Sequence, residues 1–252
     1  MKRIISLLVL IWFFTACRQE QKQIVTYDKS DGTYIRVDSI SGGAGDAQML
    51  SEIAPYKHQL DSAMGGVIAY SPKAYFKKRP NGTLNNLSCD MVLSTIRERY
   101  KDSPYRPDFC LLNYGGLRSP IPKGPVTKSN IFQLMPFQNE SVICRLGGPQ
   151  MLQLFDYIAH TGGEPVAGIR IYYKDKKFDH AIINGEAFDK NKKYNVLTSD
   201  YTAKGGNHMD FFGAADTMIL CGSLLRNDMF SYIASLPDSN LVASEEERII
   251  FE

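Results

Sequence analysis

Six runs rich in Val, Ile and aromatic residues are interleaved with stretches whose apolar residues recur every three or four positions. The runs are Gly66 to Tyr70, Phe109 to Asn113, Ser141 to Leu146, Val166 to Tyr173, His180 to Ile183 and Tyr194 to Thr198. This alternation constrains the fold most, because segments of strand period and helix period cannot exchange roles. Between Asp46 and Met64, the residues Met49, Ile53, Tyr56, Leu60 and Met64 share one helical face. Pro55 lacks an N–H and crowds the preceding turn, so a kink or restart is expected near Ala54. A second helix is predicted from Asn86 to Tyr100, with Cys89, Leu93, Ile96 and Tyr100 on one face and Asn85 or Asn86 as its cap. A third is predicted to start at Gly148 with Pro149 in its first turn and to run through Met151, Phe155 and Ile158 to a stop at Gly162-Gly163. Asn184-Gly185 predicts a tight hairpin, since both residue types accept the positive φ such turns need. Strands interleaved with three or four helices give an α+β (α/β) class: a single domain with a mixed β-sheet packed by helices.

At 252 residues, 44% apolar and 22% charged, the chain has the composition of a globular protein and not of a disordered, collagenous or multispanning one. Lys2 and Arg3 precede an apolar run, Ile4 to Phe14, that ends in Thr15-Ala16-Cys17. Such a run covers roughly 17 Å as a helix, short of the roughly 30 Å membrane core, so residues 1–16 read as an export signal. Small residues followed at once by Cys resemble a bacterial lipobox, which makes Cys17 the expected lipidation site; plain secretion is the next reading. Residues 17–30 are expected to form a polar tether, and residues 31–252 the domain. Removing the first sixteen residues leaves the chain neutral, with no general pull toward nucleic acid. The expected location is outside the cytoplasm, on a bacterial membrane through the lipid anchor.

Four further cysteines, Cys89, Cys110, Cys144 and Cys221, allow three full disulfide pairings among which the sequence does not choose. All lie among apolar residues, so buried free thiols are the favoured reading. His58, His160, His180 and His208 are dispersed, and no pair of cysteines has the close spacing of a zinc site.

Three loops stand out. Asn113-Tyr114-Gly115-Gly116-Leu117-Arg118 follows one strand candidate, Leu134-Met135-Pro136-Phe137-Gln138-Asn139 precedes another, and Thr198 to Asn207 closes a third. Paired glycines let backbone approach a ligand closely, and Arg118 offers a planar fork to oxyanions. A Tyr, a glycine pair and a polar side chain in the third loop can clasp a base and sugar. Taken singly, each loop is equally a glycine turn, a proline followed by a core phenylalanine, or a solvated connection.

In this order and spacing, the loops resemble the C-terminal domain of the 5'-nucleotidase family, a group that includes UDP-sugar hydrolases and 2',3'-cyclic phosphodiesterases. That domain reads roughly N-x-G-G-(I/L)-R, then G-P-(I/V)-T, L-P-F-x-N and (N/D)-(F/Y)-x-A-x-G-G-D-G. This chain supplies Asn113 to Arg118, Gly124 to Thr127, Met135 to Asn139 and Asp200 to Asn207, with Leu84 to Asp90 similar to the upstream L-G-N-L-x-x-D. The resemblance runs from about Asp46 to Phe212. It implies a nucleotide or nucleoside ligand whose base is sandwiched by Phe137 and Tyr201. It further implies Asn113 on base or ribose, the Gly115-Gly116 backbone lining the site, and Arg118 on ribose and phosphate oxygens. Lys78 and Arg79 lie near where some relatives place another Arg. Asn207 stands where the family pattern has Asp, which removes a charge-assisted acceptor for ribose hydroxyls.

Family members cleave phosphate esters with a separate two-metal domain carrying D-x-H, G-N-H-(D/E) and G-H-x-H motifs, and none of these precedes Asp46. Gly206 to Asp210 echoes one of them but overlaps the nucleotide loop and is read as coincidence. The chain alone is therefore expected to bind no metal or other cofactor and to be inactive by itself. The divalent metal pair is expected on a separately encoded metallophosphatase partner. The other reading is a nucleoside- or nucleotide-binding lipoprotein with no catalytic partner.

Overall fold

The computed structural model describes residues 46–252; the export signal, Cys17, the tether and the predicted start of the domain at residue 31 lie outside them. Helix α1 (Ala47–Met64) runs on through Pro55, and none of its residues is buried. The body described below is the compact unit Ala54–Glu252.

Strand β1 (Val67–Ser71) leads to helix α2 (Thr83–Arg99) and strand β2 (Phe109–Leu111). The helix begins earlier than its capping asparagines predict, with Gly82 at the N-cap. Asn85 and Asn86 are instead buried in its first turns, where Asn85 donates to the carbonyl of Lys78 and Asn86 to those of Ser244 and Glu246. Their amides serve tertiary contacts, which is why a local capping rule misplaced the helix start.

After β3 (Gly124–Thr127) come helix α3 (Lys128–Leu134), strand β4 (Glu140–Leu146) and helix α4 (Gly148–Thr161). Pro149 sits in the first turn of α4 and Gly162 closes it in the left-handed conformation, as the sequence predicts. The run Val166 to Tyr173 divides at Gly168, whose φ of 79° turns the chain between β5 (Val166–Ala167) and β6 (Ile169–Lys174). Strands β7 (Lys177–Ile183) and β8 (Glu186–Ala187) are joined by Asn184-Gly185 at φ 52° and 84°, the predicted tight hairpin. The chain continues through β9 (Tyr194–Ser199), α5 (Asp200–Ala203), β10 (Thr217–Leu224), α6 (Leu225–Ser235) and β11 (Ile249–Phe251).

The fold is the mixed α/β one expected, its strands paired in three sheets packed by helices: β1-β3, β10-β4-β9-β2-β5 and β11-β6-β7-β8. The turn at Gly168 leaves β5 in the central sheet and starts β6 in the four-stranded one. Alternate residues of the central strands enter two cores. Cys110, Leu112, Ile143 and Leu197 pack with α2 and α6, whereas Phe109, Leu111, Val142, Cys144 and Val196 pack with α4 and the four-stranded sheet. Both faces being covered explains why these strands read as continuous apolar runs. Among the described residues, Cys89, Cys110, Cys144 and Cys221 are free thiols. Among the described residues no helix is long and apolar enough to cross a membrane.

Candidate functional site

Topology brings the three loops together. β2 and β9 are parallel, so the loops that follow them leave the same end of the central sheet. β4 runs antiparallel to β9 with Ser141 opposite Ser199, so the loop that precedes β4 arrives at that end too. Each loop is then tied to the other two. The Arg118 N–H donates to the carbonyl of Leu134 at 2.9 Å, and the Glu140 N–H donates to Asp200 Oδ1 at 3.1 Å. Asn113 Nδ2 donates to Asn207 Oδ1 at 3.0 Å.

Between them lies a cavity of about 350 Å³ lined by Asn113, Gly115, Gly116, Arg118, Phe137, Asn139, Tyr201 and Asn207. All seven binding residues expected from the sequence are among these, with Asn139 in addition. Phe137 is 43% exposed and Tyr201 46%, so neither ring is a core residue. A cleft of about 780 Å³ lies elsewhere, with Arg97, Arg106, Ser231 and Tyr232 among its lining residues, and none of the three loops contributes to it.

Local chemistry shapes each wall. Ser199 caps α5 by accepting from the Thr202 N–H, and Thr202 returns a bond to the cap; this sets the short helix that carries Tyr201. Gly205 turns the chain at φ 88°, and Gly206 then passes so close that a Cβ there would lie 2.5 Å from Tyr201 Cε1. Asn207 is left-handed at φ 58°, and its carbonyl accepts from Tyr157 Oη at 2.9 Å. Burial, with the nearby Glu164 carboxylate second, pushes the Tyr157 phenol up to about 12, so it stays a neutral donor.

The first loop rests on Glu164 and Lys77, which the sequence did not single out, and on Arg79, which it did. Glu164, 2% exposed, accepts from the Tyr114 N–H and pairs with Arg79. Burial raises its pKa above the ordinary carboxylate value, against the pull of that N–H and of Arg79. Arg79 lies 4.5 Å from the Tyr114 ring centroid, and Lys77 lies at the same distance from it. Lys77 donates to the carbonyls of Leu117 at 2.7 Å and Tyr114 at 3.3 Å. Burial lowers the Lys77 pKa, followed by the positive charges of Arg118 and Arg79. The Asn139 position was readable, since it closes the L-P-F-x-N pattern. Glu164 and Lys77 had no such signal.

The cavity offers two aromatic rings, three amide side chains and one guanidinium, with no carboxylate in its lining. Among the described residues no group of three or more His, Cys, Asp or Glu side chains is placed to hold a metal ion. The arrangement can stack a flat ring and hydrogen-bond oxyanions.

An α+β domain with an aromatic-edged pocket at the loop end of its central sheet is the class these features define. The family model of the 5'-nucleotidase C-terminal domain matches residues 67–214, and the chain belongs to that family. It is 26% identical over 189 residues to the protein UshA of Yersinia enterocolitica, covering 71% of this chain and 33% of that one. It is 24% identical over 217 residues to the trifunctional nucleotide phosphoesterase YfkN of Bacillus subtilis, covering 78% of this chain and 14% of the relative. The chain thus spans a third or less of these relatives. In fold it is similar to the 5'-nucleotidase precursor of Thermus thermophilus, with a TM-score of 0.69 and 23% identity over 82% of this chain and 44% of that one.

Proposed function

We propose that this chain is the nucleotide-recognition half of a 5'-nucleotidase or UDP-sugar hydrolase type phosphoesterase, serving nucleotide catabolism. It binds nucleotide in the cavity lined by Phe137 and Tyr201 and presents the phosphate ester to a separately encoded two-metal phosphoesterase. The base stacks on the two rings. Asn113 and Asn207 bond base or ribose, the Gly115-Gly116 backbone lets the sugar approach, and Arg118 holds ribose and phosphate oxygens. Cys17 carries the lipid that keeps the exported protein at the membrane, and residues 17–30 are the tether.

The observation that carries this reading is the convergence of three loops, distant in sequence, on one cavity with both aromatic rings exposed in its wall. The donor set at the site does not fit a metal ion, which is why the metal pair is assigned to the partner. Bound by the partner, such a pair would supply a hydroxide nucleophile and Lewis-acid stabilisation of the phosphoryl group. The part played by this chain is orientation, which brings the scissile ester into a fixed reach of the partner.

The test is reconstitution. AMP hydrolysis is expected only when the chain, an exported metallophosphatase lacking a recognition domain, and a divalent metal are all present. Robust hydrolysis by the rigorously purified chain alone, abolished in Arg118→Gln, overturns the split-enzyme reading. Nucleotide binding without activation of such a partner identifies a non-catalytic binding lipoprotein instead.

A further inference from the structure

Phe137 is half-exposed, so its surroundings cover only part of the ring and its placement depends on how its backbone is held. That backbone is gathered by one side chain. Arg226, 8% exposed in the first turn of α6, directs Nη1 at three successive carbonyls: Met135 at 3.1 Å, Pro136 at 3.2 Å and Phe137 at 3.4 Å. Its guanidinium carbon lies 4.1 Å from the centroid of the Phe132 ring. One residue earlier, the Leu225 N–H donates to the carbonyl of Asn139 at 2.9 Å. Both ends of the segment from Pro136 to Asn139 are thereby fastened to the start of α6.

The start of α6 is itself fixed. Asp228 is fully buried and accepts from Arg99 Nη2 and Ser223 Oγ, each at 2.8 Å, and from Ser141 Oγ. Burying a cation is costly, and packing alone would be served as well by an apolar side chain. A guanidinium belongs here because three successive carbonyls of the segment face it, and a fixed planar cation can donate to such a cluster.

We propose that Arg226 is the positioning residue of the recognition site: it sets the Phe137 ring for stacking and acts on ligand only through that ring. The proposal rests on the reading of Phe137 as a stacking platform. It also gives the start of α6 a part in ligand recognition, although Arg226 does not line the cavity.

The test combines hydrogen exchange with a double-mutant cycle on the whole chain, using AMP as the probe. In Arg226→Gln, the hydrogen-bonded amides that bracket the segment, Met135 (to the Ile131 carbonyl) and Glu140 (to Asp200 Oδ1), should exchange faster while those of Thr202 and Lys204 do not change. AMP affinity should fall about tenfold, the size of a lost charge-assisted hydrogen bond. In a Phe137→Ala background, Arg226→Gln should have no further effect on affinity, an outcome that general destabilisation would not produce. Arg226→Lys keeps the charge but offers a single ammonium to three carbonyls, so an intermediate loss is expected; this variant carries the comparison if Arg226→Gln does not fold. Additive losses in the double mutant, or unchanged exchange at Met135 and Glu140, overturn the proposal. If the wild-type chain binds no AMP, the nucleotide reading itself fails, and the exchange of the Met135 and Glu140 amides still decides whether Arg226 holds the segment.

Discussion

Gly206→Ala adds one methyl group at the most crowded point of the site. The new Cβ would meet Tyr201 Cε1 and the Tyr201 carbonyl oxygen at 2.5 Å each, and Tyr201 Cδ1 at 2.6 Å. Non-bonded carbons rest at about 3.5 to 4.0 Å, so relief requires a shift of roughly 1 Å. The ring can swing, being half-exposed, but the carbonyl belongs to α5 and moves only with the backbone. Overpacking of this kind costs about 1 to 3 kcal/mol, which in a chain of this size lowers Tm by about 2 to 4 °C per kcal/mol. The functional effect is of similar size, because a displaced Tyr201 forfeits stacking energy of about 1 to 3 kcal/mol, a loss of roughly 5- to 150-fold in affinity. Gly213→Ala is the control, since a Cβ there meets nothing within 4 Å. Calorimetric titration with AMP alongside a thermal melt checks both effects. Wild-type affinity and Tm in Gly206→Ala would refute the packing argument, and so would an equal loss in Gly213→Ala.

Further outcomes follow from the same geometry. Phe137→Ala and Tyr201→Ala should each weaken AMP by about 1 to 3 kcal/mol, with Tyr201→Phe mild. Because Phe137 is 43% exposed, its stability cost should stay well below the about 3 to 5 kcal/mol expected for the fully buried Phe155→Ala, as urea unfolding would resolve. Asn207→Asp should tighten AMP relative to 2'-deoxy-AMP several-fold, because an ionised acceptor strengthens bonds from ribose hydroxyls. Burial holds the Glu164 carboxyl above its ordinary value of 4.5, so above that value the native state binds the proton more tightly than the unfolded chain. Its contribution therefore falls as pH rises through that window, and the stability of wild type relative to Glu164→Gln should be greater at about pH 4 than at about pH 7 in urea unfolding.

Features fixed by near neighbours in the sequence were readable in it. The ends of α4 follow from Pro149 and Gly162, and the β7-β8 hairpin follows from Asn184-Gly185. The members of the candidate site were readable from motif order, but periodicity alone could not place the three loops at one end of a sheet; that follows from β9 pairing parallel to β2 and antiparallel to β4. The helix start at Thr83 was missed because Asn85 and Asn86, good caps by local rules, bond to backbone 7 to 160 positions away. The supports of the site were equally hidden. Glu164 reaches Tyr114 across 50 positions and Arg226 reaches Met135 across 91. No local pattern separates these charges from solvated ones. Strand β10 escaped notice as an edge strand with alternate residues exposed, including Met218 and Leu220.

The central claim is that this chain recognises nucleotide in the cavity between its three loops. Its most direct test is a calorimetric titration of AMP into the purified chain, repeated with Arg118→Gln and with the Phe137→Ala/Tyr201→Ala double variant. Saturable binding at one site is expected, weakened in Arg118→Gln and lost in the double variant while thermal melts confirm both are folded. Absence of saturable binding by AMP, adenosine and UDP-glucose, or AMP affinity unchanged in the double variant, would contradict the account.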